Sequence, residues 1–480
     1  MMKAKVMLIM ITLLLFGAHA RGADWYVDPA AAPGGNGKSW AGAWSAFSSI
    51  VWGPGGVKAG DTLFISGGPS GRVYRDFLEI GASGTAADPI RIRPGQDPGH
   101  NGQVIFDGGN SRPNLLRIYS KNYVHVDGNT GGKRSFIFRN APDHGKFSLI
   151  DASSVTGVKI LNCEVTGSPT GISMLFGTGC EVAGNYIHDI HWEAGIDMDG
   201  SFGDWDGNLV HDNHIQANVP ADGSGEGADG IQCSSGISIY NNLIEGVAGG
   251  RVIAGQHPDG VQASGRFVRI HGNTIRDMPN ACISGDYSEA TEGLLWIFNN
   301  VCHYTNPAWN GYVRFLDYNV LPGVRVLDQI RVYNNTVVDV FGHQAIFFHI
   351  HSRGTRITDS AVVNNIFFNS GNRNAEVIRF DAGAYSCGTD LIIDNNLINA
   401  GTKGGRQIVC NGADYMQPNG YAGQPLFSRY SERSRDNSFS LAEGDRNARG
   451  RGLNLSSYFN LDREGKPRPA SGAWSLGAYE

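Results

Sequence analysis

Cysteine, lysine and long apolar runs are what this chain has least of. Seven cysteines are scattered over 480 residues, with an odd total and no CxxC pair. That excludes a disulfide-stapled scaffold and a zinc-ribbon site. They are Cys163, Cys180, Cys233, Cys282, Cys302, Cys387 and Cys410, and most lie in strand-like runs, where a thiol behaves as a small apolar group. The spacing leaves room for one bridge and does not assign it. No lysine occurs between Lys159 and Lys403. Charged residues make up only 18%, the formal net charge is -6, and no basic block stands out, so nucleic acid is not an expected partner. Proline is sparse at 19 and glycine shows no Gly-X-Y period, which excludes collagen. Apart from the N-terminus, no stretch approaches the run of about 18 apolar residues that reads as a membrane span.

Residues 1–20 read as a secretory signal. Lys3 and Lys5 precede an apolar run from Val6 to Phe16, and Ala18-His19-Ala20 is a small-x-small cleavage site. The mature chain is therefore expected outside the cytoplasm, as a monomer with no integral membrane segment.

Glycine is in excess, at 67 residues, and asparagine is periodic. A short alternating run, then Asn, then a second apolar alternation recurs as VKILNCEV, CEVAGNYIHDI, LVHDNHI, ISIYNNLIEGV, VRIHGNTIRDM, LWIFNNVCHY, IRVYNNTVVDV, AVVNNIFFNS and LIIDNNLINAG. The aligned positions are Asn162, Asn185, Asn213, Asn242, Asn273, Asn300, Asn335, Asn365 and Asn396, about 29 residues apart on average. Two-residue alternation marks half-buried strands. Short strands at this period predict the coils of an all-β, single-stranded right-handed parallel β-helix, a solenoid with capped ends. A propeller would need nearer 40–50 residues per unit. Asn tolerates left-handed backbone, and its amide can bond turn groups, so stacked coils predict an amide ladder. The expected division is a signal at 1–20, an N-terminal cap at 21–60, the β-helix at 61–400, and C-terminal strands and cap at 401–480.

The segments WYVDPAAAPGGNGKSWAGAW (25–44), AGDTLFISGG (59–68) and SGTAADPIRIRPG (83–95) resemble the opening of secreted polysaccharide-active β-helices, including alginate lyases and chondroitinase B. GKPRPASGAWSLGAYE (465–480) resembles the closing segment of many secreted bacterial β-helix proteins. The chain thus resembles the pectate lyase-like superfamily over nearly its whole mature length. That implies the fold and a polysaccharide ligand, but the superfamily spans lyases, hydrolases, epimerases and adhesins.

Unusual outward residues concentrate between 190 and 320. Taking Ile196, Ile231, Val261, Ile283 and Val313 as inward places Asp197, Gln232, Gln262, Ser284 and Arg314 on one outward line. Asp199, Ser234, Ser264, Asp286 and Leu316 fall on a second. Asp229 and Asp259 stack just before their strands, with His257 beside Asp259. Their Asp-Gly dipeptides also read as ordinary turn chemistry. Trp192, Trp205, Tyr287, Trp309, Tyr312 and Tyr318 are expected to offer ring faces to sugars.

Two reactions fit. In β-elimination from a uronate polymer, the resemblance implies Ca2+ held by carboxylates, with Asp197, Asp199, Asp229 and Asp259 as ligands. Arg314 would neutralise charge or act as base. Relatives with a catalytic lysine have no counterpart in this lysine-free stretch. His257 or His271, with an ordinary pKa of about 6.5, is the substitute base. The alternative is inverting hydrolysis by paired Asp residues. A third class is a non-catalytic carbohydrate-binding surface protein or adhesin.

Overall fold

The computed structural model describes residues 22–480 apart from 144, 146, 201–204, 206, 221–226, 253–256, 306–312, 343, 373–375 and 400–406. The expected signal segment therefore lies outside the described residues. The chain winds as a right-handed parallel β-helix whose three long sheets have 14, 12 and 13 strands among the described residues. One coil shows the path: Cys180–Ala183 in the first sheet, Tyr186–Ile190 in the second and Ala194–Gly200 in the third. The next coil then starts at Asn208–His211, back in the first sheet.

The alternation read from the sequence fills the core with aligned stacks. Ile172, Ile196, Ile231, Val261, Ile283, Leu316, Ile346 and Ile378 follow one another down the third sheet, all fully buried. Ile187, Ile215, Ile244, Ile275 and Cys302 do the same in the second.

Asparagine divides its two expected roles between two neighbouring turn positions. The first takes the left-handed backbone: Asn162, Gly184, Asp212, Asn241, Gly272, Asn299, Asn334, Asn364 and Asn395 have φ of 50° to 68°. The second carries the buried ladder, Asn185 to Asn396. In each rung Oδ1 accepts the backbone N–H and the Nδ2–H of the Asn one coil earlier, at 2.9–3.0 Å. The remaining Nδ2–H donates to a strand carbonyl, as Asn273 does to Ile239 at 2.9 Å. Asn162 is thus a turn residue, and Cys163 stands at the ladder position, its N–H donating to Asn185 Oδ1. At the far end Gln417 imitates a rung: its Oε1 accepts from Asn396 N–H and Nδ2–H.

Two disulfides are present where the sequence left room for one. Cys282–Cys302 ties a third-sheet strand to a second-sheet strand, and Cys387–Cys410 lies near the C-terminal end. Cys163, Cys180 and Cys233 are buried thiols. The C-terminal segment folds back along the outside: Arg435 reaches Asp277, and Arg463 donates to the carbonyls of Gly272 and Asn273.

An Asn273→Leu substitution removes the acceptor for two donors of Asn242 and one donor to each of Ile239 and Asn300. Each orphaned buried group costs about 1–3 kcal/mol, so a loss of about 3 kcal/mol or more is expected in denaturant unfolding. An unchanged midpoint would show that the ladder does not bear on stability.

Candidate functional site

The site is built on the outer face of the third sheet. Strand register places Asp151, Ser173, Asp197, Gln232, Gln262, Ser284, Asp317, Phe347 and Arg379 in one line along it. The expected line is correct through Ser284 and slips at the next coil. Leu316, not Val313, pairs with Ile283, so Asp317 holds the place expected for Arg314, and Arg314 pairs with Ala281. The slip arises because Val313, Phe315, Leu316 and Tyr318 are all buried, which leaves the two-residue period ambiguous there. Leu316, expected outward, has no exposure, and Asn319 follows Asp286 on the second line instead.

The Asp-Gly repeats have two separate causes. Gly230 and Gly260 are packing glycines: a Cβ would meet Ile244 Cγ2 at 2.4 Å and Ile275 Cγ2 at 2.3 Å. Their φ angles are not in the left-handed region, so the turn explanation does not account for them. Asp229 and Asp259 open adjacent third-sheet strands and have 0% exposure. Asp229 accepts the N–H of Asp259 at 2.7 Å and the Nε2–H of Gln232 at 2.7 Å. Asp259 faces three side chains: Asn280 Nδ2 at 2.8 Å, Ser284 Oγ at 2.6 Å and His257 Nδ1 at 2.8 Å.

The electrostatics follow from burial. Desolvation, and then the neighbouring Asp259 carboxylate, raise the Asp229 carboxyl well above the ordinary range. Two buried carboxyls on adjacent coils cannot both ionise cheaply. The bond to Asp259 outweighs desolvation at His257 and pushes its imidazole up to about 9. His257 is 51% exposed, so its ring is anchored on the buried pair and open to solvent. Beside it, Arg314 forms an ion pair with Asp317, lies 4.9 Å from the Phe347 ring centre, and has a largely buried side chain. Desolvation raises the Asp317 carboxyl, and Arg314 opposes the shift. A depression of about 410 Å³ joins these groups, lined by His257, Gln262, Asn280, Ser284, Arg314, Asp317 and His349 among others.

The structure therefore brings together Asp229, Gln232, His257, Asp259, Gln262 and Arg314. Asp197 and Asp199 are half-buried on the same face, one coil before Gln232. Trp192 is half-buried ahead of that strand. Tyr287 and Tyr318 were expected to meet sugar but are fully buried and stack on each other at 5.0 Å. Their places in the strands, alternating with Asp286 and Asp317, point them inward. Trp205 packs against Trp296 beside the first sheet, and His271 stacks there between Tyr240 and Phe298, so neither reaches the groove. Trp309 and Tyr312 lie outside the described residues. Asn280 and Asp317, which also line the depression, were not picked out as site residues. Only the coil-to-coil register, which a single sequence leaves ambiguous here, would have revealed Asp317.

Among the described residues, Asp229, His257 and Asp259 present ligand atoms within 4.8 Å of one another, a set able to hold a metal ion. Asp197 and Asp199 are not in that group.

No family model matches the chain, and no curated protein matches it. Solved structures do. A pectate lyase, Pel9A, is 13% identical with a TM-score of 0.49 over 96% of this chain and 97% of that one. The GH136 lacto-N-biosidase from Eubacterium ramulus is 14% identical, TM-score 0.47, over 84% and 68%. The PL6 alginate lyase AlyGC is 15% identical, TM-score 0.40, over 78% and 52%. These are likenesses of architecture, and the chemistry of the site rests on its own residues.

Removing the buried charge partner should release the imidazole. In Asp259→Asn, the His257 pKa is expected to fall from about 9 toward the ordinary value of about 6.5, read by NMR titration of the ring protons. The pair's contribution to stability is complete below the unfolded pKa and is lost as pH rises through about 9. A ring that titrates alike in both proteins would remove Asp259 as the cause.

Proposed function

We propose that the protein is an exported polysaccharide-degrading enzyme that cleaves a uronate-containing chain by β-elimination on the third-sheet face. One observation carries this reading: an exposed imidazole fixed at Nδ1 by a fully buried carboxylate, beside a guanidinium, in a polar groove. A buried Asp that orients a His with a free second nitrogen is the arrangement general acid–base chemistry needs. Two disulfides suit an oxidising compartment, as the N-terminal segment does.

In the proposed reaction Arg314, held over Phe347 and shared with Asp317, receives the substrate carboxylate and lowers the barrier to losing the neighbouring C5 proton. His257 Nε2, in its neutral form, takes that proton. The C5–H electrons form the C4=C5 bond, the C4–O4 bond breaks, and the imidazolium returns the proton to the departing oxygen. Asp259 holds the ring in one tautomer throughout. Gln232 and Gln262, in register on neighbouring coils, offer amides to sugar hydroxyls.

Calcium at the buried pair does not fit this chain's residues. Ca2+ takes six to eight oxygen ligands. Here one of the three available ligands is a nitrogen, and both oxygens of Asp229 and Asp259 already bond protein groups.

Elimination and hydrolysis are separated by their products. Incubation with acidic polysaccharides is expected to give near-ultraviolet absorbance from unsaturated ends. The rate should rise with pH until His257 is deprotonated near 9 and fall about 100-fold or more in His257→Ala. New reducing ends without absorbance would overturn elimination. They would favour inverting hydrolysis with Asp317, whose raised carboxyl suits a general acid. Neither product from any polymer would favour a binding protein.

A further inference from the structure

The third-sheet face continues well beyond the groove, and its N-terminal coils have a different character. Glu79, Arg117, Asp151 and Ser173 extend the outward line in register to Asp197. Rings flank this polar floor on successive coils. Phe77 and Phe147 immediately precede their third-sheet strands, Tyr119 follows its strand, and Phe176 lies near the end of its strand. Among the described residues, the exposed large aromatics are Tyr119 at 52%, Phe147 at 39%, Phe176 at 72% and Tyr458 at 37%. Three of these four belong to this one stretch of one sheet. Single exposed apolar residues need no explanation, but a run of rings on consecutive coils does.

The far end of the track is a built depression. It has a volume of about 590 Å³ and is lined by Trp52, Phe77, Glu79, Tyr119 and Lys121 among others. A Cβ at Gly81 would meet Trp52 Cδ1 at 2.5 Å, so the indole is seated directly on the backbone there. The Arg117 guanidinium lies 5.3 Å from the Tyr119 ring centre, and that of Arg112 lies 5.6 Å from the Phe77 ring centre. Rigid rings with fixed cations and carboxylates between them suit pyranoses, which have an apolar face and a polar edge.

We propose that this aromatic track is a distal subsite for the same polysaccharide chain, ending at the Trp52–Phe77–Tyr119 depression. The proposal rests on the reading of the groove as a polysaccharide site. The coils of Arg117 and Gln262 are five steps apart in register, about 24 Å at the strand spacing. One continuous chain can therefore occupy both ends, and the second contact is then made at high effective concentration. Short oligomers reach only one end.

The test is calorimetric binding of alginate- and polygalacturonate-derived oligomers of about four and about ten residues to the whole protein and to Tyr119→Ala/Phe176→Ala. Both substituted rings are exposed, so the fold should survive, which circular dichroism checks. The unsubstituted protein is expected to bind at least one longer oligomer about tenfold more tightly than its short counterpart. The double variant should bind the two lengths alike. Equal affinity for both lengths in the unsubstituted protein, a length preference retained in the variant, or no binding of any oligomer would each overturn the subsite. Binding is read at a pH well below 9, where His257 is protonated and cannot take the C5 proton, and product is read separately by absorbance at higher pH. A length preference abolished by the variant, with no unsaturated product, would keep the subsite and remove the elimination mechanism.

Discussion

The stacking of the coils between Cys163 and Gln417 depends on one repeated interaction, the buried amide ladder. A solenoid coil cannot bury its apolar face alone and must be held on its neighbours in a fixed register. The Asn side chain does this with all its capacity: two N–H donors used and two lone pairs used, in an interior where an unmet group is expensive. Because Oδ1 receives both the backbone and the side chain of the preceding rung, a slip of one residue would break several bonds at once. Gln417 closes the series at one end, and at the other Cys163 makes a simpler bond, donating only its backbone N–H to Asn185 Oδ1.

That fixed register gives the third sheet its chemical face. Residues far apart in sequence reach adjacent coils: Asp229 and Asp259 are 30 apart, and Arg314 comes from two coils further on. Burial of the two carboxyls is tolerable because their oxygens meet N–H or O–H groups and because one of those groups is a protonatable imidazole. The Cys282–Cys302 bridge adjoins this arrangement, since Cys282 lies two residues before Ser284, which bonds Asp259. The exposed ring of His257 is the point at which this buried charge becomes available to a ligand.

The fold was legible in the sequence because its determinant is periodic: alternation sets the strands and Asn marks the turns. The division of that Asn into a left-handed position and a ladder position was not legible, since both carry the same residue in several coils. Asp229, His257 and Asp259 could be picked out because the DG-I/V-Q pattern repeats on two coils. That their carboxyls are wholly buried could not, because both read as lying just before their strands, whereas each is its strand's first residue. Arg314 was found on the right coil but the wrong line, through a cluster of apolar residues that supports two registers. Tyr287 and Tyr318 were misassigned because an aromatic serves a core and a sugar platform equally well, and only strand parity decides between them.

The proposed function has a polysaccharide docking where His257 emerges from the buried carboxyl pair. The most direct measurement is NMR of the histidine ring protons during titration with an acidic oligosaccharide, below the pH at which turnover would occur. A shift of the His257 ring resonances on adding the oligosaccharide is the expected result. Movement of the His211 and His271 rings on the first-sheet face while His257 stays unmoved would contradict it.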